Sequence, residues 1–488
     1  MSIPMNPRAP AVAANADDDA AIAALRNAFE AQRAAFSSDR APSLDERRRR
    51  LGALCTMLLT YRERIAGALI RDFGSHPVPA SDLIEVLGVV GRAQYAMEHL
   101  AAWMQPQPRD IDPAMLGTAT AMVRPQPKGV VGNIVPWNFP FDLALGPMID
   151  MLAAGNRVMI KPSDYTPACA ALLHEMVAAT FDPSLVYVAV GGVELARAFA
   201  AMPWDHLLYT GNAAIGRDVM TAAAANLTPV TLELGGKCPA LFTPGSVTAT
   251  NVESVIGTKT IKNGQMCVSV DYALVHRGEV AAFVDEAMSY MRDNAPGYSR
   301  SADCTGIIST RHLERLEAML TEAVDRGERV VALEHDGRID RETRRMPMYL
   351  VVDPSPDLRL AREEVFGPIL PVLVYDELDE AIDRINADER PLGLYVFGDS
   401  PDEIERVIAE TTSGGVSVNA CALQASLPSL GFGGVGASGM GRHHGVDGFR
   451  EFSNQRGVVT RGSGDLIASF YAPYAKAEGL VAAVLGGM

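Results

Sequence analysis

Three residues near the middle of the chain combine side-chain chemistry and local sequence in a way that suits acyl transfer. Cys267 ends the segment Asn263-Gly-Gln-Met-Cys, where a glycine permits close backbone approach and free amides could stabilise a thiolate. Glu233 lies between two leucines ahead of a glycine pair, so desolvation would raise its pKa and suit it to general-base work. Asn138 lies within Pro136-Trp-Asn-Phe-Pro, and its amide could donate to an oxyanion. Taken singly, each also fits a structural role: a buried thiol, a strand-end carboxylate, or an amide supporting its own turn.

A second group of residues lies where open α/β sheets bind ligands. Lys161 and Asp164 directly follow an apolar run, and ligands of such sheets sit at the carboxyl ends of parallel strands. Gly211 and Gly216 belong to another strand-to-helix turn, where they would let a pyrophosphate approach a helix N-terminus. This turn does not have the GxGxxG pattern, so by itself it indicates little.

The elements that must position these residues alternate between short apolar strands and helical segments, which favours parallel sheets with crossover helices. A further strand is expected within Gly117–Val123, and Ser43 is expected to cap a helix whose basic run Arg47–Arg50 faces solvent. The other predicted strands are Val130–Val135, Arg157–Ile160, Leu185–Val190, His206–Tyr209, Val230–Leu234, Tyr272–His276, Arg329–Leu333, Ile369–Val374 and Val416–Asn419.

Composition and charge exclude several classes of protein. Hydrophobic residues make up 48% of the 488 residues and charged residues 21%, which is a globular composition and not a disordered one. A net charge of −16 disfavours binding to nucleic acid. The six scattered cysteines form no CxxC pair, so neither a disulfide scaffold nor a structural zinc site is expected. No secretory signal and no apolar run of about 18 residues is present, so a cytoplasmic protein without a membrane anchor is expected.

Taken together and in order, these motifs resemble those of the aldehyde dehydrogenase superfamily. Within it the chain is most similar to the class 3 branch and to coniferyl aldehyde dehydrogenases. The resemblance covers almost the whole chain except the N-terminal tail. The matching segments are Pro136–Pro140, Lys161–Asp164, Thr210–Gly216, Leu232–Lys237, Asn263–Cys267, Glu364–Pro368 and Gly431–Gly441.

The resemblance implies a catalytic role for each of the first three residues. Cys267 would attack the aldehyde as a thiolate, and the resulting oxyanion would be held by the Asn138 amide and the Cys267 backbone N–H. Hydride transfer would leave a thioester, and Glu233 would activate the water that releases the acid.

For the cofactor, the resemblance implies that Lys161 and Asp164 bind the adenosine ribose, while Gly211 and Gly216 line the pyrophosphate turn. Glu364 would bind the nicotinamide ribose, with Phe366 and Trp137 packing nearby. The family usually has Glu at position 164 and Ser at position 212, where this chain has Asp and Asn. The shorter acid still repels a 2′-phosphate, so NAD is expected, with NADP left possible.

The fold implied is α/β: a Rossmann-type NAD-binding domain (20–106 and 128–233), an α/β catalytic domain (234–417) and a small bridging β oligomerisation element (107–127 and 418–462). A disordered tail is expected at 1–19 and a C-terminal tail at 463–488. A homodimer is expected, since an exposed strand edge can pair with a second chain.

Met266 and Val268 flank the nucleophile, and no Arg or Lys is evident beside them. A hydrophobic or aromatic aldehyde of the coniferyl type is therefore expected as substrate, with a medium- or long-chain fatty aldehyde as the alternative. Arg442, His443 and His444 are expected at the surface or a subunit contact, and adjacent histidines point apart, so no metal site is predicted. A CoA-acylating enzyme is disfavoured because Glu233 is retained, and a non-catalytic protein because Cys267 and Asn138 are retained with it.

Overall fold

A computed structural model describes residues 16–486 of the chain, and it confirms the α/β class. Its strands form sheets of six, seven and three members. In chain order they are β1 (Gln107–Arg109), β2 (Thr120–Pro127), β3 (Val130–Ile134), β4 (Arg157–Lys161), β5 (Val186–Val188), β6 (His206–Gly211), β7 (Val230–Leu234), β8 (Pro239–Phe242), β9 (Tyr272–His276), β10 (Arg329–Ala332), β11 (Tyr349–Val352), β12 (Ile369–Tyr375), β13 (Gly393–Phe397), β14 (Gly415–Val418), β15 (Gly439–Met440) and β16 (Ser453–Thr460).

Helices cover the sheets and connect their strands. Short 3₁₀ or π-helical turns occur as well, of which Ser81–Gly88 (π) and Ile261–Gly264 (3₁₀) matter below. The α-helices are α1 (Ala16–Ser38), α2 (Leu44–Phe73), α3 (Val78–Ala80), α4 (Val89–Trp103), α5 (Pro113–Leu116), α6 (Asp142–Ala153), α7 (Pro167–Thr180), α8 (Val193–Ala200), α9 (Ala213–Ala224), α10 (Ala249–Thr260), α11 (Val280–Asn294), α12 (Thr310–Asp325), α13 (Arg359–Arg362), α14 (Leu378–Ala387), α15 (Pro401–Glu410), α16 (Leu423–Ser426), α17 (Gly445–Glu451) and α18 (Glu478–Gly486).

The six-stranded sheet has the order β15-β7-β6-β3-β4-β5, and only β15 runs antiparallel to its neighbour. All five strands predicted for this region are present. Both faces of the sheet are covered, which is why every residue of β3 and β4 is buried. From β3 the chain continues through β4 to β5 on one side, and then crosses back to β6 on the other side of β3, so β3 and β6 flank a topological switch point. Ligands of open parallel sheets bind at such a point, outside the carboxyl ends of the strands.

The seven-stranded sheet has the order β10-β11-β12-β9-β8-β13-β14, with β10 as an antiparallel edge. The four strands predicted here correspond to β9, β10, β12 and β14, while β8, β11 and β13 were not foreseen. The third sheet joins β2 to β1 and β16, and all eight residues of β2 pair with β16. Its strands come from the two segments proposed above to form the bridging element.

Helices α1 and α2 differ from some of the expectations drawn from the sequence. α1 begins at Ala16, inside the segment expected to be a tail, and the Asp18 carboxylate accepts a hydrogen bond from Gly192 N at 2.8 Å; residues 1–15 lie outside the described part of the chain. Ser43 caps α2 as predicted, but Arg47 is buried and donates to the carbonyl of Ala153 at 2.8 Å. Within residues 16–486, no helix has the length and apolar character needed to cross a membrane.

One buried ion pair connects three segments that surround the cavity described below. Lys262 Nζ donates to Glu85 Oε1 at 2.9 Å, and both side chains are at most 1% exposed. The other Glu85 oxygen accepts from the backbone N–H groups of Phe141 and Asp142 at 3.1 and 2.8 Å. The ammonium also lies 4.9 Å from the centre of the Phe139 ring. The Cys267 loop, the Asn138 loop and the π-helical turn are thereby joined.

We expect Lys262→Met to lower the free energy of unfolding by about 3–5 kcal/mol, because it leaves the Glu85 carboxylate buried without a counter-charge. The double variant K262M/E85Q should recover part of this loss, since no net charge then remains buried. Urea unfolding measures both. Arg64→Met, which removes an exposed ion pair with Glu175, is the control and should leave the midpoint unchanged. A K262M variant as stable as the parent would contradict the role of the pair.

Candidate active site

The loop that carries Cys267 has a backbone shape that few residues tolerate. After α10 the chain turns with positive φ at Lys262 (52°), Asn263 (54°) and Gly264 (77°). A side chain at Gly264 would collide with the carbonyl oxygen of Gly367, so only glycine fits there. The Asn263 amide donates to the carbonyl of Met346 at 3.1 Å and holds the turn against the neighbouring sheet.

Gln265 clamps the same loop from inside. Its amide nitrogen donates to the carbonyls of Lys262 and Gly306 at 2.8 and 3.0 Å, and its oxygen accepts from Ile308 N at 2.9 Å. The side chain is fully buried with every polar atom in use. Cys267, two residues on, is therefore held by a rigid backbone.

A cavity of about 1160 Å³ brings the predicted site residues together. Its walls are mainly apolar, and it runs along the carboxyl ends of β3, β4, β6 and β7. The predicted residues that line it are Cys267, Glu233, Asn138, Lys161, Asp164, Gly211, Glu364, Phe366 and Trp137.

Gly216 is the one predicted site residue that does not line the cavity. It lies buried in the first turn of α9, where an added Cβ would come within 2.8 Å of a Leu234 methyl group. Its small size lets α9 pack closely on β7. The turn itself is formed by Gly211 and by Asn212, whose side chain caps α9 by accepting from Ile215 N at 2.9 Å.

Glu233 is a carboxylate without a partner. It lies near the end of β7, is 2% exposed, and neither of its oxygens has a hydrogen-bond partner among the described residues. Burial raises its pKa well above the usual value, the nearby Arg442 charge opposes this, and Glu451 adds to it. The expectation from sequence that desolvation would raise this pKa is confirmed. A carboxyl group of this kind can accept a proton from a thiol or a water at the cavity wall.

The thiol of Cys267 also holds its proton firmly. Burial raises its pKa to about 12, and the charges of Glu364 and Glu233 contribute, while the backbone amides of Val268 and Cys267 lower it. The sequence suggested a thiolate stabilised by amides, but the carboxylates and burial outweigh them in this state. Attack on a carbonyl therefore needs a base that takes the proton.

Lys161 and Asp164 lie together at the carboxyl end of β4. Lys161 is 3% exposed, and its ammonium donates to the carbonyl of Pro162 at 2.7 Å. Burial lowers its pKa, and the charge of Asp164 partly restores it. Asp164 is exposed at the rim of the cavity. An ammonium group donates hydrogen bonds and an adjacent carboxylate accepts them, so the two together can bind the hydroxyl groups of a ribose.

Glu364 reaches into the cavity from the segment that leads into β12. It accepts from Gly236 N at 3.2 Å, and a side chain at Gly235 would collide with its carboxylate, so this close approach favours glycine at position 235. Burial, and then the charge of Asp271, raise its pKa to about 7. The carboxyl group is thus poised between its two protonation states near neutral pH.

An aromatic wall lies next to Glu364. The rings of Phe366 and Trp137 meet edge-to-face with centroids 5.4 Å apart, and His312 packs on the other side of Trp137 at 5.3 Å. His312 was not foreseen, since it comes from α12 and no local motif surrounds it. Together with Lys161, Asp164 and the capped start of α9, this wall fits an elongated dinucleotide with an aromatic end.

The structure corrects the expectation for the histidine pair. His443 and His444 are 1% and 5% exposed, and both line the cavity. Arg92, from α4, lines it as well, although no arginine was evident from sequence near the nucleophile. Arg442 donates to the carbonyl of Gly414 at 3.1 Å. Within residues 16–486, no three His, Cys, Asp or Glu side chains are grouped so as to hold a metal ion.

Comparison with known proteins gives consistent matches. The profile described as the aldehyde dehydrogenase family matches residues 4–458. A probable coniferyl aldehyde dehydrogenase of Caulobacter vibrioides is 42% identical over 448 residues, covering 91% of this chain and 92% of that protein. The substrate-bound structure of Staphylococcus aureus AldH has a TM-score of 0.88 at 30% identity, covering 94% and 99%. A Mycobacterium tuberculosis aldehyde dehydrogenase complexed with NAD+ has a TM-score of 0.80 at 27% identity, covering 92% and 91%.

The buried state of Glu233 predicts a pH-dependent effect of Glu233→Gln on stability. Because the folded pKa is raised, ionisation of Glu233 above its unfolded pKa of about 4.3 destabilises the fold, and each tenfold difference in proton affinity between the folded and unfolded chain corresponds to about 1.4 kcal/mol. The variant should therefore gain stability relative to the parent between pH 4 and pH 8. Urea unfolding across this range is the measurement, with exposed Glu30→Gln as the baseline. A difference that does not change with pH would contradict the assignment.

Proposed function

The chain belongs to the aldehyde dehydrogenase family, and from that membership we propose that it oxidises a hydrophobic or aromatic aldehyde of the coniferyl type to its carboxylic acid with NAD. The observation that carries the proposal is the convergence of Cys267, Glu233 and Asn138 on one cavity. We call the part of this cavity lined by Lys161, Asp164, Gly211 and Glu364 the cofactor arm. Aldehyde dehydrogenase activity follows from the family. The substrate, the cofactor and the roles of the residues are the proposal.

Acylation begins with removal of the Cys267 proton, for which Glu233 is the available base. The sulfur attacks the carbonyl carbon, and the carbonyl electron pair moves to oxygen. Asn138 Nδ2 and the Cys267 backbone N–H donate to this oxyanion, and losing one such donor typically costs roughly 3–4 kcal/mol. Among the described residues no hydrogen bond ties up the Asn138 amide, so it is available to the substrate.

The dinucleotide, when bound, supplies the acceptor for the hydride that leaves the tetrahedral carbon. Loss of this hydride re-forms the C=O bond and leaves a thioester on Cys267. After Glu233 has passed the Cys267 proton to solvent, it takes a proton from water, and the water oxygen attacks the thioester. The sulfur leaves as a thiolate, which takes the proton back from Glu233. One aldehyde, one NAD+ and one water give one acid, one NADH and one proton.

Glu233 also separates this proposal from a CoA-acylating reaction. A thiol acceptor does not need a base that activates water, whereas hydrolysis does. The buried carboxyl group of Glu233, with no hydrogen-bond partner among the described residues, has no evident structural use. Its presence beside Cys267 therefore supports hydrolysis as the second half-reaction.

The exposed Asp164 supports NAD over NADP, because a 2′-phosphate at the adenosine ribose would lie close to its charge. The Mycobacterium tuberculosis relative complexed with NAD+ is consistent with this choice. The apolar cavity walls and the name of the Caulobacter relative support an aromatic aldehyde. A cytoplasmic homodimer remains our proposal, with the six free cysteines fitting a reducing compartment.

Cys267→Ala should abolish aldehyde-dependent reduction of NAD while leaving the thermal unfolding temperature unchanged, because the nucleophile is lost and the clamped loop is kept. NADH fluorescence with a panel of coniferyl aldehyde, cinnamaldehyde, benzaldehyde and nonanal is the measurement. Cys55→Ala, a half-buried cysteine outside the cavity wall, is the matched control and should retain full activity. Undiminished turnover by C267A would falsify the nucleophile assignment, and a preference for nonanal would favour the fatty-aldehyde alternative.

Asp164→Ser should raise kcat/KM with NADP relative to NAD by about tenfold, since it removes the repulsion of the 2′-phosphate, and tenfold corresponds to about 1.4 kcal/mol. The assay is the same aldehyde at saturation with each cofactor varied. Glu175→Ser, an exposed acid outside the cavity, controls for net charge. An unchanged cofactor ratio would place cofactor selection elsewhere.

A further inference from the structure

The end of the cavity away from the cofactor arm has a polar wall in an otherwise apolar surround. We call it the end wall and define it as Arg92, Asp142, His443 and His444, all of which line the cavity. Apolar side chains such as Ile84 and Leu143 stand beside it. None of the end-wall residues has a part in the chemistry described above.

The order of the site residues along the chain supports an end wall on the substrate side of Cys267. The loop 136–142 carries Trp137, which packs on the cofactor-side Phe366, then Asn138, and then Asp142 of the end wall. The segment 233–235 repeats this order. At one end, Gly235 lies next to Glu364 on the cofactor side. At the other end, Glu233 pairs with Gly439 of β15, and the chain continues from β15 to His443 of the end wall. In both segments a catalytic residue lies between the cofactor arm and the end wall.

The charges of the end wall cancel. Arg92 forms an ion pair with Asp142, and its other nitrogen donates to Nε2 of His444 at 2.6 Å. The side chains of Arg92 and Asp142 remain 12% and 18% exposed, so a ligand in the cavity can reach them. Burial lowers the pKa of His443 to about 3 and that of His444 well below its usual value, so both rings are neutral. Burial also raises the pKa of Asp142, and the neighbouring Asp150 carboxylate accepts from His444 N at 2.8 Å, so Arg92 has two acids near it.

Three ring nitrogens of the end wall lack a partner among the described residues. They are both nitrogens of His443 and Nδ1 of His444. Since His444 accepts from Arg92 through Nε2, its Nδ1 carries the hydrogen and is a free donor. Neutral His443 offers one further donor and one acceptor. Leaving buried polar groups unpaired is costly. These nitrogens have almost no exposed surface, so a ligand pairs with them only if the His443 and His444 rings turn toward the cavity that they line.

We propose that the end wall binds a neutral oxygen substituent, a hydroxyl or ether group, on the part of the aldehyde remote from the carbonyl. A phenolic hydroxyl both donates and accepts, which matches His443, and a neighbouring ether oxygen accepts, which matches His444. A carboxylate tail would find no uncompensated cation, and an alkyl tail would leave the nitrogens unpaired. The proposal deepens the proposed function and rests on it, because it names the substrate class that the same site selects.

The test compares two aldehydes that differ only in these oxygens: coniferyl aldehyde and cinnamaldehyde. The parent enzyme should have a kcat/KM at least about tenfold higher for coniferyl aldehyde. His443→Phe keeps an aromatic ring without nitrogens, and should lower kcat/KM for coniferyl aldehyde about five- to tenfold while changing that for cinnamaldehyde less than twofold. His443→Gln, which restores a donor and an acceptor, should recover most of the preference. Equal losses on both aldehydes, or none, would overturn the proposal.

Binding without turnover separates this inference from the proposed function. In the C267A background, calorimetric titration should give tighter binding of coniferyl aldehyde than of cinnamaldehyde, and C267A/H443F should remove the difference. If C267A discriminates while the parent oxidises neither aldehyde, the end wall stands and the function fails. If the parent oxidises both aldehydes and C267A binds them equally, the function stands and the end wall is wrong.

A second variant guards against loss of folding in H443F. The double variant R92M/D142L removes both charges of the pair together, so neither is left uncompensated. It should reduce the preference for coniferyl aldehyde as well. R64M/E175L, which removes an exposed pair outside the cavity, is the matched control and should keep the parent's preference. A double variant that folds and keeps the full preference would count against the end wall.

Discussion

The buried pair of Lys262 and Glu85 is the interaction on which the site depends. It lies between the loop that carries Cys267 and the loop that carries Asn138, and Glu85 fixes the second loop through two backbone N–H groups. A buried ion pair stabilises little by itself, because desolvation offsets the attraction of the charges. The pair instead fixes the positions of the loops that carry it, because each charge is tolerated in the interior only when its partner is in place. The pair thereby holds the loop of Cys267 and the loop of Asn138 against the same carboxylate.

The positions of these loops also determine which charged groups lie near the Cys267 sulfur. Two carboxyl groups, Glu233 and Glu364, lie close enough to raise the pKa of the thiol, and burial raises the pKa of each of them. Groups coupled in this way titrate together, so a proton leaving one is held by another. Burial and these charges together make the Cys267 thiol hold its proton more firmly than a thiol in water.

The sequence predicted the cavity residues that lie in short local motifs. It did not predict the cavity residues that come from distant segments of the chain. Cys267, Glu233 and Asn138 each lie in a recognisable motif at a strand end or turn, and all three were found. His312 and Arg92 come from ordinary amphipathic helices, so no local pattern could reveal them. The role of Gly216 stays a prediction, because glycine serves both a ligand turn and close helix packing, and the structure shows the packing against Leu234. The buried Arg47 shows the same limit, since its partner carbonyl at Ala153 is 106 residues away.

The unpaired nitrogens of the end wall help to explain why the cavity combines apolar walls with one polar wall. An apolar wall binds any tail of suitable size and discriminates weakly, since one methylene changes binding by only about 1–3 kcal/mol. A buried group built to hydrogen-bond its ligand discriminates more strongly, because a tail without the matching oxygen leaves that group unpaired. The free enzyme carries the same penalty, so His443 and His444 lower stability when no ligand is bound. Such a stability cost is expected at sites under selection for recognition. The apolar walls then supply affinity, and the neutral histidines supply the choice between substrates.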